Sequence, residues 1–335
     1  MHKKTLICDV LALKKKNLEL LISGMRWPVS ETLFFKLVNF VSREYINEIK
    51  NLTGKNYKIA VLEIRFLNLL IKIMHFNYLK NLAKKNKYTL EYSVSSKEFL
   101  YPDWKKIESL YERFYTPIGN TWNRKVKKFI KLFYFNKHIG LIQLAVSLFK
   151  IKENLSLGSN DVNKKDYIKF SKKFYKHIDW YDIIKNKNVN KASKDKIQKK
   201  IITKKIKKVY KNKSFYLFIK GLNISQIAEI AQKRKNQAVQ IYNELLKIKA
   251  PKEILITESA HPYHKLISSA LLEKGTKVIN FSHGNNVGLV EQKWAENLFY
   301  SQVGNFLLET TKICNDVKKR FFGQTLAYKE NTNFF

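Results

Sequence analysis

Two short apolar runs with a helical stretch between them form the clearest pattern of the chain. Glu253–Thr257 and Lys277–Ser282 are rich in aliphatic residues, which is typical of buried strands. Pro262 stands where a first helical turn would begin, and Gly275 stands where the helix would end. A strand, a helix and a strand at this spacing predict a βαβ unit with parallel strands and a right-handed crossover.

Patterns on both sides of this unit extend the prediction. Upstream, apolar spacing predicts a helix over Ile224–Ile248, whose buried face consists of Ile227, Ile230, Ala231, Ala238, Ile241, Leu245 and Leu246. Downstream, Asn305–Glu309 is predicted to be a third strand and Thr310–Phe321 a further helix. In the first half, the patterns predict helices at Arg65–Ala83 and Arg124–Lys150 and strands at Thr5–Val10, Tyr57–Ile64 and Thr89–Ser95.

These elements place the chain in the α/β class, with a Rossmann-like parallel sheet and extensive helical decoration. Residues 1–150 are predicted to form the helix-rich part of an α/β domain. Residues 151–215, the stretch richest in Lys and Asn, are predicted to be a helical insertion or a linker. Residues 216–335 are predicted to be the Rossmann-like βαβ segment.

The composition is strongly basic, and the charge comes almost entirely from lysine. The formal net charge is +37, and arginine provides only 7 of the 64 basic residues. Because arginine is the residue that binds phosphates in a bidentate way, this composition favours a solvated lysine surface over a dedicated phosphate reader. Such a charge still attracts anionic membranes and nucleic acids, and we expect peripheral association with an anionic membrane surface.

The cysteine content, the N-terminal segment and the lengths of the apolar runs all bear on where the protein is located in the cell. Cys8 and Cys314 are too few and too far apart in sequence for a disulfide framework, which indicates a reducing, cytoplasmic setting. The N-terminal segment has a basic start, but Asp9 interrupts its apolar run, so a first strand is favoured over a signal peptide. No apolar run has the length of a membrane span. We therefore expect a cytoplasmic protein that attaches peripherally to the inner face of the plasma membrane.

Polar side chains follow both strands of the βαβ unit, at the sheet edge where open α/β folds bind ligands. They are Glu258, Ser259 and His261 after the first strand and Ser282, His283, Gly284, Asn285 and Asn286 after the second. A histidine at a strand end, followed by a glycine that lets a ligand approach, suits a general base acting on a hydroxyl. Glu258 is placed to orient that imidazole or to bind a sugar hydroxyl. A tight turn at His283 and Gly284 with no catalytic role is the alternative interpretation.

Two other chemistries are disfavoured for the same cluster. His261, His264 and His283 are a metal-ligand hypothesis, but no Cys or Asp nearby in the sequence completes a ligand set. Nucleophilic hydrolysis through Ser259 or Ser282 lacks the G-x-S-x-G context that exposes such a serine. The sequence therefore predicts proton abstraction without a bound metal.

The segment VINFSHGNNVGLVEQKWAENLFYSQVGNFLLET also resembles a known family. It is similar to the end of the N-terminal domain in GT-B-type transferases of bacterial surface polysaccharides, including capsule and teichoic-acid polymerases of the CDP-glycerol glycerophosphotransferase kind. The shared features are a strand that ends in a His-Gly pair, a polar loop, a lysine, an aromatic-serine pair and a further strand. The matching residues are His283, Gly284, Asn285, Asn286, Gly288, Lys293, Tyr300, Ser301 and Phe306–Glu309, and the resemblance covers about residues 250–320.

This resemblance implies that His283 deprotonates the hydroxyl of a lipid-linked or polysaccharide acceptor. The donor would be a nucleotide-activated sugar or polyol phosphate, with no cofactor bound permanently. The substrate contacts would include Lys293, Tyr300, Ser301 and Glu309. The chain ends too soon after His283 for the second Rossmann-like domain that carries the donor contacts in such enzymes. We therefore expect a truncated or split transferase with a separate donor-binding chain, or a non-catalytic scaffold of the pathway.

A nucleic-acid-binding protein is the rival hypothesis. It rests on the net charge and on aromatic residues interleaved with lysines, namely Tyr167, Phe170, Phe174 and Tyr175. The same spacing also fits the core face of a single helix.

Overall fold

The computed structural model of the chain is mixed α/β, and the strand pairs among its described residues run parallel. It describes residues 4–16, 29–52, 66–113, 154–158, 162–180, 196–257, 261–281, 305–307, 310–321 and 333–334, together with residues 122, 126, 130, 134, 136 and 183. The chain divides into two units that are not contiguous in sequence. Unit 1 comprises Met1–Leu52, Arg65–Arg113 and Lys196–Arg234, and unit 2 comprises Thr53–Ile64, Phe114–Asp195 and Lys235–Phe335.

The elements are numbered in chain order over the described residues. The strands are β1 (Thr5–Ile7), β2 (Thr89–Glu91), β3 (Asn154–Leu157), β4 (Lys176–Ile178), β5 (Glu253–Ile256), β6 (Lys277–Phe281), β7 (Asn305–Leu307) and β8 (Asn333–Phe334). The helices are α1 (Val10–Lys16), α2 (Glu31–Lys50), α3 (Phe66–Asn86), α4 (Val94–Leu100), α5 (Trp104–Arg113), α6 (Val162–Ser171), α7 (Ile197–Lys211), α8 (Tyr216–Ile219), α9 (Ile224–Leu245), α10 (Pro262–Glu273) and α11 (Thr311–Phe321).

Unit 1 is mostly helical. Its two strands, β1 and β2, pair in parallel with Leu6 beside Leu90. The side chains of Asn77 and Asn81 on α3 donate hydrogen bonds to carbonyls at the end of α8, including that of Lys220 at 3.0 Å from each amide nitrogen. These bonds satisfy acceptors that the short helix α8 leaves unpaired. Among the described residues of both units, no helix combines the length and the apolar character needed to cross a bilayer.

Unit 2 is built on a parallel sheet with the strand order β4-β3-β5-β6-β7-β8. Successive residues of β5 alternate between its two faces, as a pleated strand requires. Ile254 and Ile256 pack with apolar side chains of α9 and α10, whereas Leu255 packs with Ile168 of α6. Helices therefore cover both faces of the sheet, which a buried parallel sheet needs. This arrangement is consistent with the predicted Rossmann-like α/β fold.

The predicted βαβ unit is confirmed. β5 and β6 are parallel, with Ile254 beside Val278, and α10 connects them. Pro262 occupies the first turn of α10, and Gly275 follows the helix with φ +80°. The helix predicted at 224–248 and the later strand and helix are also present, as α9, β7 and α11.

Two predicted strands are shorter in the structure, and one side chain accounts for both. Asp9 Oδ1 accepts the N–H of Ala12 at 2.9 Å, so a helix begins where the strand Thr5–Val10 was predicted to continue. Asp9 Oδ2 accepts the N–H of Ser93 at 2.9 Å, and Ser93 precedes α4, so the predicted strand Thr89–Ser95 ends early. The predicted strand 57–64 lies outside the described residues, as does most of the predicted helix 124–150.

Residues 151–215 contain two strands that the sequence analysis did not predict. β3 lies between β4 and β5, and α6 connects it to β4. The strands were missed because each is short and carries polar residues, such as Ser156 of β3 and His177 of β4, which are buried by their neighbours in the sheet.

A buried carboxylate joins β5, β6, α6 and the loop between α6 and β4 at the amino end of the sheet. Glu253, only 2% exposed, accepts a hydrogen bond from the hydroxyl of Tyr175 and a longer one, 3.4 Å, from that of Tyr167. The ammonium groups of Lys173 and Lys277 lie 3.2 and 3.5 Å from its Oε2. Burial alone raises the pKa of Glu253, but these hydrogen bonds and charges outweigh it and hold the pKa below its usual value. The carboxylate therefore stays ionised and fully partnered.

Replacing Glu253 by Gln is expected to lower the free energy of unfolding at pH 7 by about 2 kcal/mol, because charge-assisted hydrogen bonds are lost. The pKa of Glu253 is lower in the folded than in the unfolded protein. Its contribution is therefore complete above the usual pKa of 4.5 and disappears as the pH falls through the folded value. Urea unfolding of both proteins between pH 3 and 7, spanning that titration, should show the difference shrinking toward low pH.

The matched control is Glu244→Gln. Glu244 pairs with Lys247 at 2.6 Å, but the lysine side chain is 69% exposed. An exposed pair of this kind contributes about 0.5 kcal/mol or less. Equal losses for both variants, or a pH-independent loss for Glu253→Gln, would contradict the role of Glu253.

Candidate functional site

The order in which successive strands are added to the sheet reverses between β3 and β5. From β3 the chain passes through α6 to β4 on one side, whereas β5 and all later strands lie on the other side. The helices follow the same division, with α6 on one face and α9 and α10 on the other. In open α/β sheets, the carboxyl ends of the strands at such a reversal form the crevice where ligands bind. The carboxyl ends of β3 and β5 are therefore the candidate site.

Glycine is required where β3 ends. Gly158 has φ +89°, a conformation that glycine adopts without strain. A Cβ atom at this position would lie 2.5 Å from Oγ1 and 2.7 Å from the carbonyl oxygen of Thr257, the residue that follows β5. The two strand ends therefore approach so closely that no side chain fits between them.

A lysine is buried at the same strand end. Lys164, in the first turn of α6, is 0% exposed, and its Nζ donates to the carbonyl oxygen of Leu157 at 3.3 Å. The backbone N–H of Thr257 donates to the same oxygen at 3.2 Å. Lys164 thus brings a cationic group to the junction of β3 and β5, where it suits an anionic ligand.

Two histidines lie on the other side of Thr257, and their hydrogen bonds determine their tautomers. His264, 2% exposed, contacts the carbonyl oxygen of Thr257 through Nδ1 at 3.0 Å. Because a carbonyl oxygen only accepts, Nδ1 carries the proton, and Nε2 holds a lone pair in the neutral ring. His261 is the N-cap of α10, and its Nδ1 accepts the N–H of Tyr263 at 3.3 Å. A neutral His261 therefore carries its proton on Nε2.

The two imidazoles form one aromatic cluster. Their ring centroids are 4.7 Å apart, and Trp180, which follows β4, stacks on His261 at 5.6 Å and on Tyr263 at 4.5 Å. Imidazoles are the side chains most often used to move a proton to or from a hydroxyl near neutral pH.

A second buried lysine follows directly in α10. Lys265 is 1% exposed, and burial lowers its pKa to about 7. Strongly perturbed groups at a sheet edge of this kind are typical of functional sites.

Of the residues that the sequence analysis assigned to the site, only His261 is described. It was predicted to bind substrate, and the structure shows that its Nδ1 caps a helix. The others lie outside the described residues: Glu258, Ser259, Ser282, His283, Gly284, Asn285, Asn286, Lys293, Tyr300, Ser301 and Glu309.

The strands that precede these undescribed residues are neighbours. Ile256 of β5 lies beside Asn280 of β6, and Phe281 of β6 lies beside Leu307 of β7. The segments that begin with Glu258 and Ser282 therefore leave adjacent strands at one edge of the sheet. This is the edge at which Lys164 and His264 lie.

The sequence analysis missed Gly158, Lys164, Thr257 and Lys265 as site residues. The only usable signal was a glycine directly after the run Asn154–Leu157, followed by a polar loop and a helix. The burial of Lys164 and Lys265 could not be predicted from the sequence. Lysine is rarely buried, and nothing in the sequence distinguishes these two lysines from the many others in the chain.

No family model, no curated protein and no solved structure matches the chain. In the described part of the chain, no three His, Cys, Asp or Glu side chains are grouped as a metal ion would require.

Replacing Gly158 by Ala is expected to destabilise unit 2 by about 2–4 kcal/mol, because the left-handed backbone and the clash with Thr257 act together. Gly275→Ala is the matched control, since Gly275 also has a positive φ, +80°, but its Cβ would meet nothing within 4 Å. We expect a loss of about 1 kcal/mol there. Urea unfolding of both variants measures the difference, and equal losses would contradict the close approach at Gly158.

Proposed function

We propose that this protein is a glycosyltransferase or glycerophosphotransferase of bacterial cell-surface polysaccharide biosynthesis. Its six-stranded sheet would be the acceptor-side half of a GT-B architecture. The observation that carries the proposal is the reversal of the sheet between β3 and β5, with two histidines and two lysines at the carboxyl edge. The resemblance of the segment around His283 to such transferases supports the same assignment.

In the proposed reaction, the acceptor hydroxyl attacks the anomeric carbon or the phosphorus of a nucleotide-activated donor. The new bond forms to the acceptor oxygen while the bond to the nucleotide phosphate breaks, and the phosphate leaves with the electron pair. A base takes the hydroxyl proton. By resemblance this base is His283, with Glu258 orienting its ring. His264, which contacts the end of β5, is a second imidazole whose chemistry suits relaying the proton.

The cationic side chains of the edge suit the phosphate groups of the donor. Lys164 and Lys265 would offset charge that develops on the leaving phosphate, and the Nε2–H of His261 would donate a hydrogen bond to it. Such stabilisation is stronger at a buried site than in water. The acceptor would be lipid-linked at the inner face of the plasma membrane.

The structure weakens the basis of the nucleic-acid hypothesis. Tyr175 is 1% exposed and bonded to Glu253, and Tyr167 packs edge-on against Phe281 of β6. These two aromatic residues belong to the core of unit 2 and do not offer a stacking surface for bases. Of the four residues on which that hypothesis rested, only Phe170 is largely exposed, at 79%.

His283→Ala is expected to reduce transfer by roughly a hundredfold or more, because a general base typically contributes at least that factor. The assay incubates the protein with acceptor-bearing membranes and CDP-glycerol, UDP-sugars or CMP-sugars, and it measures nucleotide release and label incorporation. His2→Ala, a histidine remote in sequence from the βαβ segment, is the control and should keep full activity.

A His283→Ala protein that folds normally and keeps near-full transfer would refute the assignment of the base. If the unmodified protein transfers nothing but still binds acceptor glycans, the non-catalytic scaffold is correct. Salt-sensitive binding of random oligonucleotides without any binding of glycans would favour the nucleic-acid hypothesis.

A further inference from the structure

Exposed lysines gather at the amino end of the sheet in unit 2, opposite the carboxyl edge that holds the candidate site. Because β3, β4, β5 and β6 are parallel, the chain enters β4, β5 and β6 at this same end. The exposed lysines at these three entries are Lys172, Lys173, Lys176, Lys247, Lys249, Lys252 and Lys277. We call these seven residues the amino-end lysine face.

Ion pairs and a backbone hydrogen bond hold the three entries side by side. Nζ of Lys173 and Nζ of Lys277 lie 3.2 and 3.5 Å from Oε2 of Glu253, so the entries of β4, β5 and β6 meet at one carboxylate. The backbone N–H of Lys277 donates to the carbonyl oxygen of Lys252 at 3.0 Å. The lysines therefore belong to one surface of unit 2 and not to three separate loops.

Cationic groups outnumber acidic groups on this surface. Of the seven lysines, two share the carboxylate of Glu253 and one pairs with Glu244. Lys172, Lys176 and Lys249 pair with no carboxylate in the described part of the chain. Their three ammonium groups can therefore bind an anionic partner without breaking an internal ion pair.

A large apolar side chain accompanies the lysines. Phe170 lies in the last turn of α6, which runs from the carboxyl end of β3 to the amino end of β4. Ile168, two residues earlier, packs with Leu255 in the core. Two residues correspond to a rotation of about 200° around a helix, so Phe170 points away from the sheet, and its side chain is 79% exposed.

We infer that the amino-end lysine face, together with Phe170, is a docking surface for an anionic bilayer. The lysines attract the lipid phosphates, and the ring of Phe170 gains free energy when it leaves water for the apolar boundary of the bilayer. A nucleic acid is the less suitable partner, because arginine is the residue that binds its phosphates in a bidentate way. Residues 169–176, 244–253 and 273–277 contain no arginine.

Docking through this face is independent of the proposed transfer reaction. The face and the candidate site lie at opposite ends of the same strands, so a bilayer at the amino end does not cover the carboxyl edge. A loss of transfer activity without a loss of vesicle binding would therefore count against the proposed function only.

The test is sedimentation of the full chain, without substrates, with vesicles of phosphatidylglycerol and phosphatidylcholine and with vesicles of phosphatidylcholine alone. We expect binding to the anionic vesicles that weakens with salt. The triple variant Lys172→Gln, Lys176→Gln, Lys249→Gln should bind them at least roughly tenfold more weakly, because each lysine contributes to the attraction. Phe170→Ser should bind at least roughly fivefold more weakly, because the apolar contribution is lost. All four side chains are exposed, so circular dichroism and thermal unfolding should be unchanged.

The matched control for charge is the triple variant Lys200→Gln, Lys207→Gln, Lys211→Gln, which removes three exposed lysines of α7 in unit 1. The control for apolar exposure is Val94→Ser, at a side chain of unit 1 that is 81% exposed. Both controls should bind vesicles almost like the unmodified protein.

Equal losses for the two triple variants would overturn the inference and assign the attraction to the overall charge of the chain. Undiminished binding of Phe170→Ser, or of the triple variant at the amino-end lysine face, would also overturn it. So would failure of the unmodified protein to bind anionic vesicles, with or without binding of oligonucleotides.

Discussion

The arrangement of unit 2 depends on the buried pair of Glu253 and Tyr175. A carboxylate with 2% exposure is tolerated only when its oxygens are hydrogen-bonded, and burial and the neighbouring carboxylate raise the pKa of Tyr175, so that its hydroxyl remains a donor. The same tyrosine offers its backbone N–H and carbonyl oxygen to Asn136. Tyr175 thus connects the central strand β5, the segment leading into β4 and the buried side chain of Asn136.

The two ends of the sheet use buried charge for different purposes. At the amino end, Glu253 is matched by cations and hydroxyls, so the cluster is electrically balanced and structural. At the carboxyl edge, Lys164 is held by a carbonyl oxygen, and Lys265 is so deeply buried that its pKa falls to about 7. Buried basic side chains beside a close approach of two strands are an arrangement that suits the binding of an anion.

The βαβ unit was predictable because it follows local rules: a proline at the helix start, a glycine at its end and two aliphatic runs. β3 and β4 were not, since their burial comes from partners distant in the sequence and their own residues include serine, histidine and lysine. The same limit applies to the site. His261 was identified as a polar residue at this edge of the sheet. Its role as a helix cap depends on the hydrogen bond from the backbone N–H of Tyr263 to its Nδ1, which the spacing of residues in the sequence does not reveal.

Pairing of β3 with β5 also constrains how the protein is made. Asn154 lies beside Glu253, so about one hundred residues must leave the ribosome between the two strands before the sheet can close. During that interval, β3 and β4 would expose an open strand edge and unsatisfied backbone groups. Synthesis is slow compared with helix formation, so α7 and α8 have time to form first. Unit 2 is therefore the part of the chain that we expect to need chaperone protection during translation.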